Sequence, residues 1–315
     1  MQRDDVRRRA RVLATMGTVA AVVSLALTGC AQHTGRFDRA RTGDATVPRL
    51  DYAEELRISD AEQRLVTRCM TGHGFRFWEQ RGLSLEESRP VGYVQDDIGW
   101  ARAHGYGSRI MAKEDRARLR NPNLAYRNSL SGQRRSVYDT ALDGGRSAPV
   151  LRTREPGGGT VRKQSGGCTA EAEKKLYGDP ATWFRTDTTV SNLRPLYVGK
   201  LLRDKEFSGA VRDWSRCMRR AGHPFADPDA ARRAARSHAA GQSGAAEART
   251  FAAEVTIAVA DARCAGAVSL KSVGERREAH YMGELTDTYG PALSRYGRLR
   301  QAALTRAERI VPARA

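Results

Sequence analysis

The amino-acid sequence predicts a mainly α fold with a small β-hairpin, built as two disulfide-closed helical units and ending in a long kinked helix. Three observations carry this expectation. The signature Arg-Cys-Met-x-x-x-Gly occurs twice, as Arg68-Cys69-Met70 before Gly74 and as Arg216-Cys217-Met218 before Gly222, at an offset of 148 residues. Each copy meets one further cysteine, Cys168 or Cys264, before the next unit begins or the chain closes. Apolar residues then recur at three-and-four spacing through the last third of the chain, the period of a helix with one buried face.

Taken in order, the chain opens on a basic stretch with Arg3, Arg7, Arg8, Arg9 and Arg11, followed by an apolar run from Val12 to Leu27. That run is too short and wrongly flanked for a retained membrane span and reads as an export signal, residues 1–29, to be removed. Leu27-Thr28-Gly29-Cys30 meets the demands of a lipobox: an apolar residue three before the cut, small residues beside it, and a cysteine whose thiol takes a diacylglycerol. Cys30 is therefore the expected lipidation site. Residues 30–50 are polar and patternless, with Gly35, Gly43 and Pro48, and read as a tether reaching on the order of 25 Å from the bilayer.

With Cys30 committed to lipid, Cys69, Cys168, Cys217 and Cys264 remain, an even number for an oxidising compartment. Spacing alone leaves three connectivities open. The internal repeat selects Cys69 with Cys168 and Cys217 with Cys264, which divides the folded part into units 51–180 and 181–315.

In the first unit a helix is expected from Ala53 to Thr71, with Leu56, Ile58, Leu65 and Met70 among its apolar residues, stopped by Gly74 as a left-handed cap. Residues 81–128, with Tyr93, Trp100, His104 and Tyr106, carry no assignable period. Helix returns over 131–142. Val150–Arg154 and Thr160–Lys163 flank Pro156-Gly157-Gly158-Gly159 as a hairpin that delivers the chain to Gly166-Gly167-Cys168, after which helix resumes to Tyr177. A further helix is expected from Pro180 toward Leu202.

The second unit repeats the pattern over 205–221, with Phe207, Val211, Trp214 and Met218 at helical spacing. Phe251, Val255, Ala258, Ala262 and Ala265 share a face of the helix carrying Cys264, and a break is expected near Val273-Gly274. The stripe Met282, Leu285, Tyr289, Leu293, Tyr296, Leu299, Ala303, Ala307 and Ile310 keeps its phase across Pro291, which points to one kinked helix.

The formal charge is +18, and the segment 1–29 takes five arginines and two aspartates with it, so the remainder stays near +15. On an anchored extracytoplasmic protein the polyanions within reach are anionic lipid head groups and cell-wall polymers rather than nucleic acid. Arg216, Arg219 and Arg220 beside Cys217, and Arg295, Arg298, Arg300 and Arg306 on the last helix, are the candidate contacts. The long stripe is also a candidate surface for another envelope protein.

The lipobox, the paired Arg-Cys-Met signatures, the Gly-Gly-Cys hairpin, the run from Cys217 to Pro228 and the segment Ile257–Cys264 resemble uncharacterised extracytoplasmic lipoproteins of actinobacteria. The resemblance spans most of the chain after Cys30. It implies an extracytoplasmic location, on the membrane's outer side, and disulfides, and it carries over no catalytic residue.

A direct search for chemistry finds no phosphate loop, since Arg162 and Gln164 stand where Gly157–Gln164 would need glycine and a hydroxyl. There is no His-Glu-x-x-His helix and no Gly-x-Ser-x-Gly elbow. Catalytic residues and cofactor are therefore assigned as none, with an envelope enzyme lacking any recognisable motif as the second alternative. The sharper alternative is a soft-metal, copper or redox site from Cys69, Met70 and His73 or from Cys217, Met218 and His223. It needs thiolates kept reduced outside the membrane, against the trend of the compartment. The leading expectation is a membrane-anchored binding or scaffolding protein of the cell envelope.

Overall fold

Most helix starts follow from a local cap. In the computed structural model, which describes residues 50–80, 82–239 and 244–314, Asp51 and Glu54 form a reciprocal capping box at the head of α1 (Tyr52–Gly72). The Asp51 carboxylate accepts the Glu54 N–H at 2.9 Å and the Glu54 carboxylate accepts the Asp51 N–H at 2.8 Å. The expected signal peptide, the lipobox, Cys30 and the tether up to residue 49 lie outside the described residues.

After α1 come three short helices, α2 (Ile98–His104) capped by Asp97, α3 (Ser108–Leu119), and α4 (Pro122–Ser129) capped by Asn121. Ser131 caps α5 (Gly132–Asp143). The hairpin β1 (Val150–Arg154) and β2 (Thr160–Gln164) is antiparallel, with Val150 opposite Gln164 and Arg154 opposite Thr160. Then follow α6 (Gly167–Tyr177), α7 (Pro180–Ser191) capped by Asp179, α8 (Arg194–Arg203) and α9 (Lys205–Arg220) capped by Asp204. The chain finishes through α10 (Pro228–Ala239), α11 (Gly244–Ala267), α12 (Leu270–Gly283) and α13 (Thr286–Glu308).

This is the mainly helical fold with one small hairpin that the sequence predicts, with a long C-terminal helix continuous through Pro291. Several boundaries differ. The unassigned stretch 81–128 holds α2, α3 and α4; α3 buries no residue, so it leaves no apolar period to read. The helix expected from Pro180 to Leu202 is two, because the chain turns at Asn192-Leu193 and restarts ahead of Pro195. The break expected near Val273-Gly274 lies earlier, at Ser269, whose φ is 51°. Gly274 instead lets α12 lie close on α9, since a Cβ there would sit 3.2 Å from the Phe207 ring. Met282 belongs to the last turn of α12 and Leu285 to the short turn before α13, where Leu285 N–H donates to the Met282 C=O at 3.0 Å.

Both cysteine pairs are bonded as the repeat indicates, Cys69 with Cys168 and Cys217 with Cys264. Three clusters of buried side chains fill the interior. Val66, Met70, Phe75, Tyr138, Ala141, Cys168 and Ala172 surround the first disulfide. Ile58, Ala61, Leu176, Tyr177, Trp183, Ala303, Leu304, Ala307 and Val311 join α1 and α6 to α7 and α13. The third surrounds Trp214 and Met218 and is rich in alanine, with Ala231, Ala235, Ala258, Ala262 and Ala265 bringing α10 and α11 together. Residues before and after position 180 therefore share cores: α13 packs on α1 and α6, and α2 packs on α11. A long-range clamp adds to this, as Arg314 grips the buried Asp60 carboxylate of α1 through Nε at 2.7 Å and Nη2 at 2.6 Å.

Candidate functional site

The two Arg-Cys-Met signatures build the same local object. Met70 and Met218 are fully buried, and the chain leaves each helix through a glycine in the left-handed region, Gly74 at φ 75° and Gly222 at φ 85°. Only glycine enters that region without steric cost. The turn is closed by Phe75 N–H to Met70 C=O at 3.0 Å in one copy and by His223 N–H to Met218 C=O at 2.8 Å in the other. Each signature thus fixes a helix end, aims a cysteine at its partner and sinks a methionine into a core.

That construction bears on the soft-metal alternative. Potential ligand atoms of Cys69, His73 and Cys168 lie within 4.8 Å of one another, the one such set of three among the described residues. Both sulfurs are spent on the disulfide, His73 is exposed, and Met70 points its thioether into the core. Cys217 is likewise bonded to Cys264 and Met218 is buried, with His223 on the rim. Neither set offers a thiolate as the protein stands.

The candidate polyanion contacts divide. Arg219, Arg220, Arg295 and Arg298 are exposed. Arg216 is exposed but paired with Asp213, and Arg306 donates to the Leu176 carbonyl at 2.6 Å. Arg300 does not belong with them. It is largely buried between α13 and α1, its Nη2 3.3 Å from the Glu55 carboxylate and its guanidinium 5.9 Å from the Tyr296 ring centroid. The three-and-four stripe of α13 turns it inward with Tyr296.

Around Arg300 lies a half-buried polar cluster: Glu55 and Glu62 from α1, Lys163 from β2, Glu173 from α6 and Asp187 from α7. Lys163 pairs with Glu173, whose second oxygen is buried without a partner. Glu62 keeps some solvent contact although protein surrounds it. Burial first, then the Glu173 charge, pushes its carboxyl up to about 7 against the pull of Lys163 and Arg300. Burial also raises Asp187 and Glu55. The stacked rings of Tyr177 and Trp183, 3.8 Å apart, wall this region, and Trp183 stacks on Tyr296 at 5.7 Å.

A second polar centre sits inside the core of the Cys217–Cys264 unit. Asp261 is fully buried on α11; its carboxylate accepts the Trp214 indole N–H at 2.8 Å and the Tyr106 hydroxyl at 3.0 Å. Glu254, two turns earlier, accepts the backbone N–H groups of Tyr106 at 2.7 Å and Ser108 at 3.2 Å, fastening the α2–α3 corner onto α11. Burial pushes the Asp261 carboxyl up to about 6, opposed by Tyr106, Trp214 and the charge of Arg232. Burial, then the Asp227 charge, pushes the Tyr93 phenol up to about 12.

Sequence reasoning did not single out Asp261, Glu254 or Arg232. One signal was present: an aspartate inside the apolar run Ile257–Ala262, with Glu254, Ala258, Asp261 and Ala265 in one helical phase. That acid-bearing face is the buried one, while Phe251 and Val255, expected there, are only half-buried.

Two open grooves complete the surface. One of about 570 Å³ runs over the second disulfide, floored by Val255, Val259 and Ala260 and edged by His223 and Arg263. Another of about 380 Å³ lies between the hairpin tip and the outer turns of α7 and α13, at Thr189 and Tyr289. No helix among the described residues is long and apolar enough to cross a membrane. No family model, no curated protein and no solved structure matches the chain.

Proposed function

We propose that the protein is a lipid-anchored extracytoplasmic protein whose helical part, tethered through Cys30, binds anionic material of the cell envelope. The observation that carries the reading is the set of exposed arginines, Arg219 and Arg220 at the end of α9 and Arg295 and Arg298 on α13, on a chain of formal charge +18. The two disulfides support an oxidising compartment, in which such a chain meets lipid head groups and wall polymers.

The anchor is tested by metabolic palmitate labelling. Cys30→Ala should abolish the label and leave uncleaved precursor; unchanged labelling refutes the anchor. Binding is tested with the mature protein held through its lipid in neutral phosphatidylcholine nanodiscs and offered anionic vesicles, neutral vesicles or purified cell wall across a salt series. Capture of anionic material that fades with salt is expected, because exposed charge attraction is screened over a Debye length of about 8 Å at physiological ionic strength. Arg295→Gln with Arg298→Gln should weaken it. Retention that ignores salt, or none at low salt, overturns the binding reading.

A further inference from the structure

Arg232 of α10 is buried, with 9% of its surface left to solvent, and neither Nε nor Nη2 has a hydrogen-bond partner. Its side chain takes part in no ion pair among the described residues. Arg135 and Arg300 also hold a buried unpartnered Nε, but each keeps partners through Nη2: Arg135 donates to the Asn128 and Leu130 carbonyls, and Arg300 pairs with Glu55. Arg232 stands apart from them.

The empty atoms are the two that form one edge of the guanidinium fork. Elsewhere in this protein that edge clasps a carboxylate with both oxygens. Arg109 holds Glu247 at 2.8 and 3.2 Å, Arg127 holds Asp139 at 2.6 Å through each nitrogen, and Arg314 holds Asp60 at 2.7 and 2.6 Å. Parallel N–H donors matched to two coplanar oxygens are what makes arginine selective for such groups. Asp261 is close enough to Arg232 to feel its charge, yet its oxygens are engaged by Tyr106 and Trp214 and it forms no salt bridge with the guanidinium. The guanidinium stays charged when buried, so an unmatched fork in a core is a demand for an anion.

We propose that Arg232 is the base of a binding site for a small carboxylate ligand, or a carboxylate terminus of a larger one, clasped through Nε and Nη2. The Tyr106 ring, its centroid 5.7 Å from the guanidinium carbon, supports one side of the fork. Tyr93, also within reach of the Arg232 charge, is a half-buried phenol beside the site. Arg236, one turn further along α10, is exposed and adds positive charge close to Arg232. A singly charged planar carboxylate matches one fork beside the buried Asp261 better than a phosphate dianion, which Asp261 would repel. The site is independent of the anchor and of the surface arginines.

The test uses the mature protein in detergent, with acetate, benzoate and succinate as carboxylate probes, inorganic phosphate as the competing oxyanion, and chloride as the ionic-strength control. Two signals are read: the rise in Tm with probe concentration, and the shift of the Arg232 Nε–H resonance in a nitrogen-labelled sample. A saturable rise and shift with at least one carboxylate, absent with chloride, is expected. Arg232→Lys keeps the charge and loses the fork, so it should bind at least about tenfold more weakly. Arg232→Leu removes an unpaired buried charge, so it should fold at least as stably as the parent while losing all response. Response to phosphate alone, an unchanged response in Arg232→Lys, or a crystal structure grown in saturating acetate that shows only water on the Nε–Nη2 edge would each overturn the proposal.

Discussion

Around Cys69 the capped helix end closes on apolar neighbours, Val66, Phe75, Tyr138 and Ala172, whereas around Cys217 the same turn closes over a core that also takes in Asp261, Trp214 and Tyr106. The fastening is common to both: a cysteine, a buried methionine, and a glycine at positive φ four residues after the methionine. What differs is what the fastened helices enclose. Beside the first joint the acids meet cations from distant segments, buried Asp60 with Arg314 and half-buried Glu62 and Asp187 with Arg300 of α13. The second places an aspartate, a glutamate and an arginine inside the core. A repeated sequence signature therefore specifies a mechanical joint, and the chemistry belongs to the elements brought to it.

The largest expected effect comes from cutting each joint. Cys69 and Cys168 are 99 residues apart and Cys217 and Cys264 are 47 apart. Loop-closure entropy alone then assigns about 4.7 kcal/mol to the first bridge and about 4 kcal/mol to the second. Chemical denaturation of Cys69→Ser with Cys168→Ser, and of Cys217→Ser with Cys264→Ser, should show losses of that order, with the first pair costing slightly more. A much larger loss at the second joint would mean that its bridge also holds the polar centre in register.

Emptying the methionine sockets probes the shared part. Met70 and Met218 are both 0% exposed at equivalent places, so Met70→Ala and Met218→Ala should each cost about 2–5 kcal/mol and agree within about 1 kcal/mol. Wide disagreement would break the equivalence of the two helix ends.

A smaller effect separates the units by pH. The Asp261 carboxyl is raised from 3.8 to about 6 and that of Glu62 from 4.5 to about 7. An acid whose folded value exceeds its unfolded one binds more protons when folded, so stability falls as pH rises through that interval. Tm should therefore be higher at pH 5 than at pH 7.5. Asp261→Asn should flatten the decline between about 4 and 6, and Glu62→Gln the decline up to about 7. Tm that rises steadily from pH 5 to 7.5 would contradict both burials.

The joints were legible because they rest on local chemistry, a cysteine, a methionine and a glycine at fixed spacing. The hairpin and the long helices were legible for the same kind of reason. The corner from α2 to α4 was not, because α3 buries nothing and its neighbours are one or two turns long, although Asp97 and the pair Asn121-Pro122 were readable as caps. The glycine at 274 was read as a helix breaker when its role is to admit the Phe207 ring. Arg300 was read as surface charge because a sequence displays its residue type but not its partner, Glu55, 245 positions away. Arg232 and Asp261 come together only when α10 and α11 are packed, so neither carries a local motif.

The measurement that bears most directly on the two oxidised joints is peptide mapping of the protein purified without reductant. The protein is alkylated before any reductant is added and digested without reduction. The expected map has Cys69 linked to Cys168, Cys217 linked to Cys264, and no alkylated peptide from any of the four. A Cys69–Cys217 link would contradict the two-joint arrangement, and full alkylation of these cysteines would contradict oxidation and return the Cys69, His73 and Cys168 cluster to consideration as a soft-metal site.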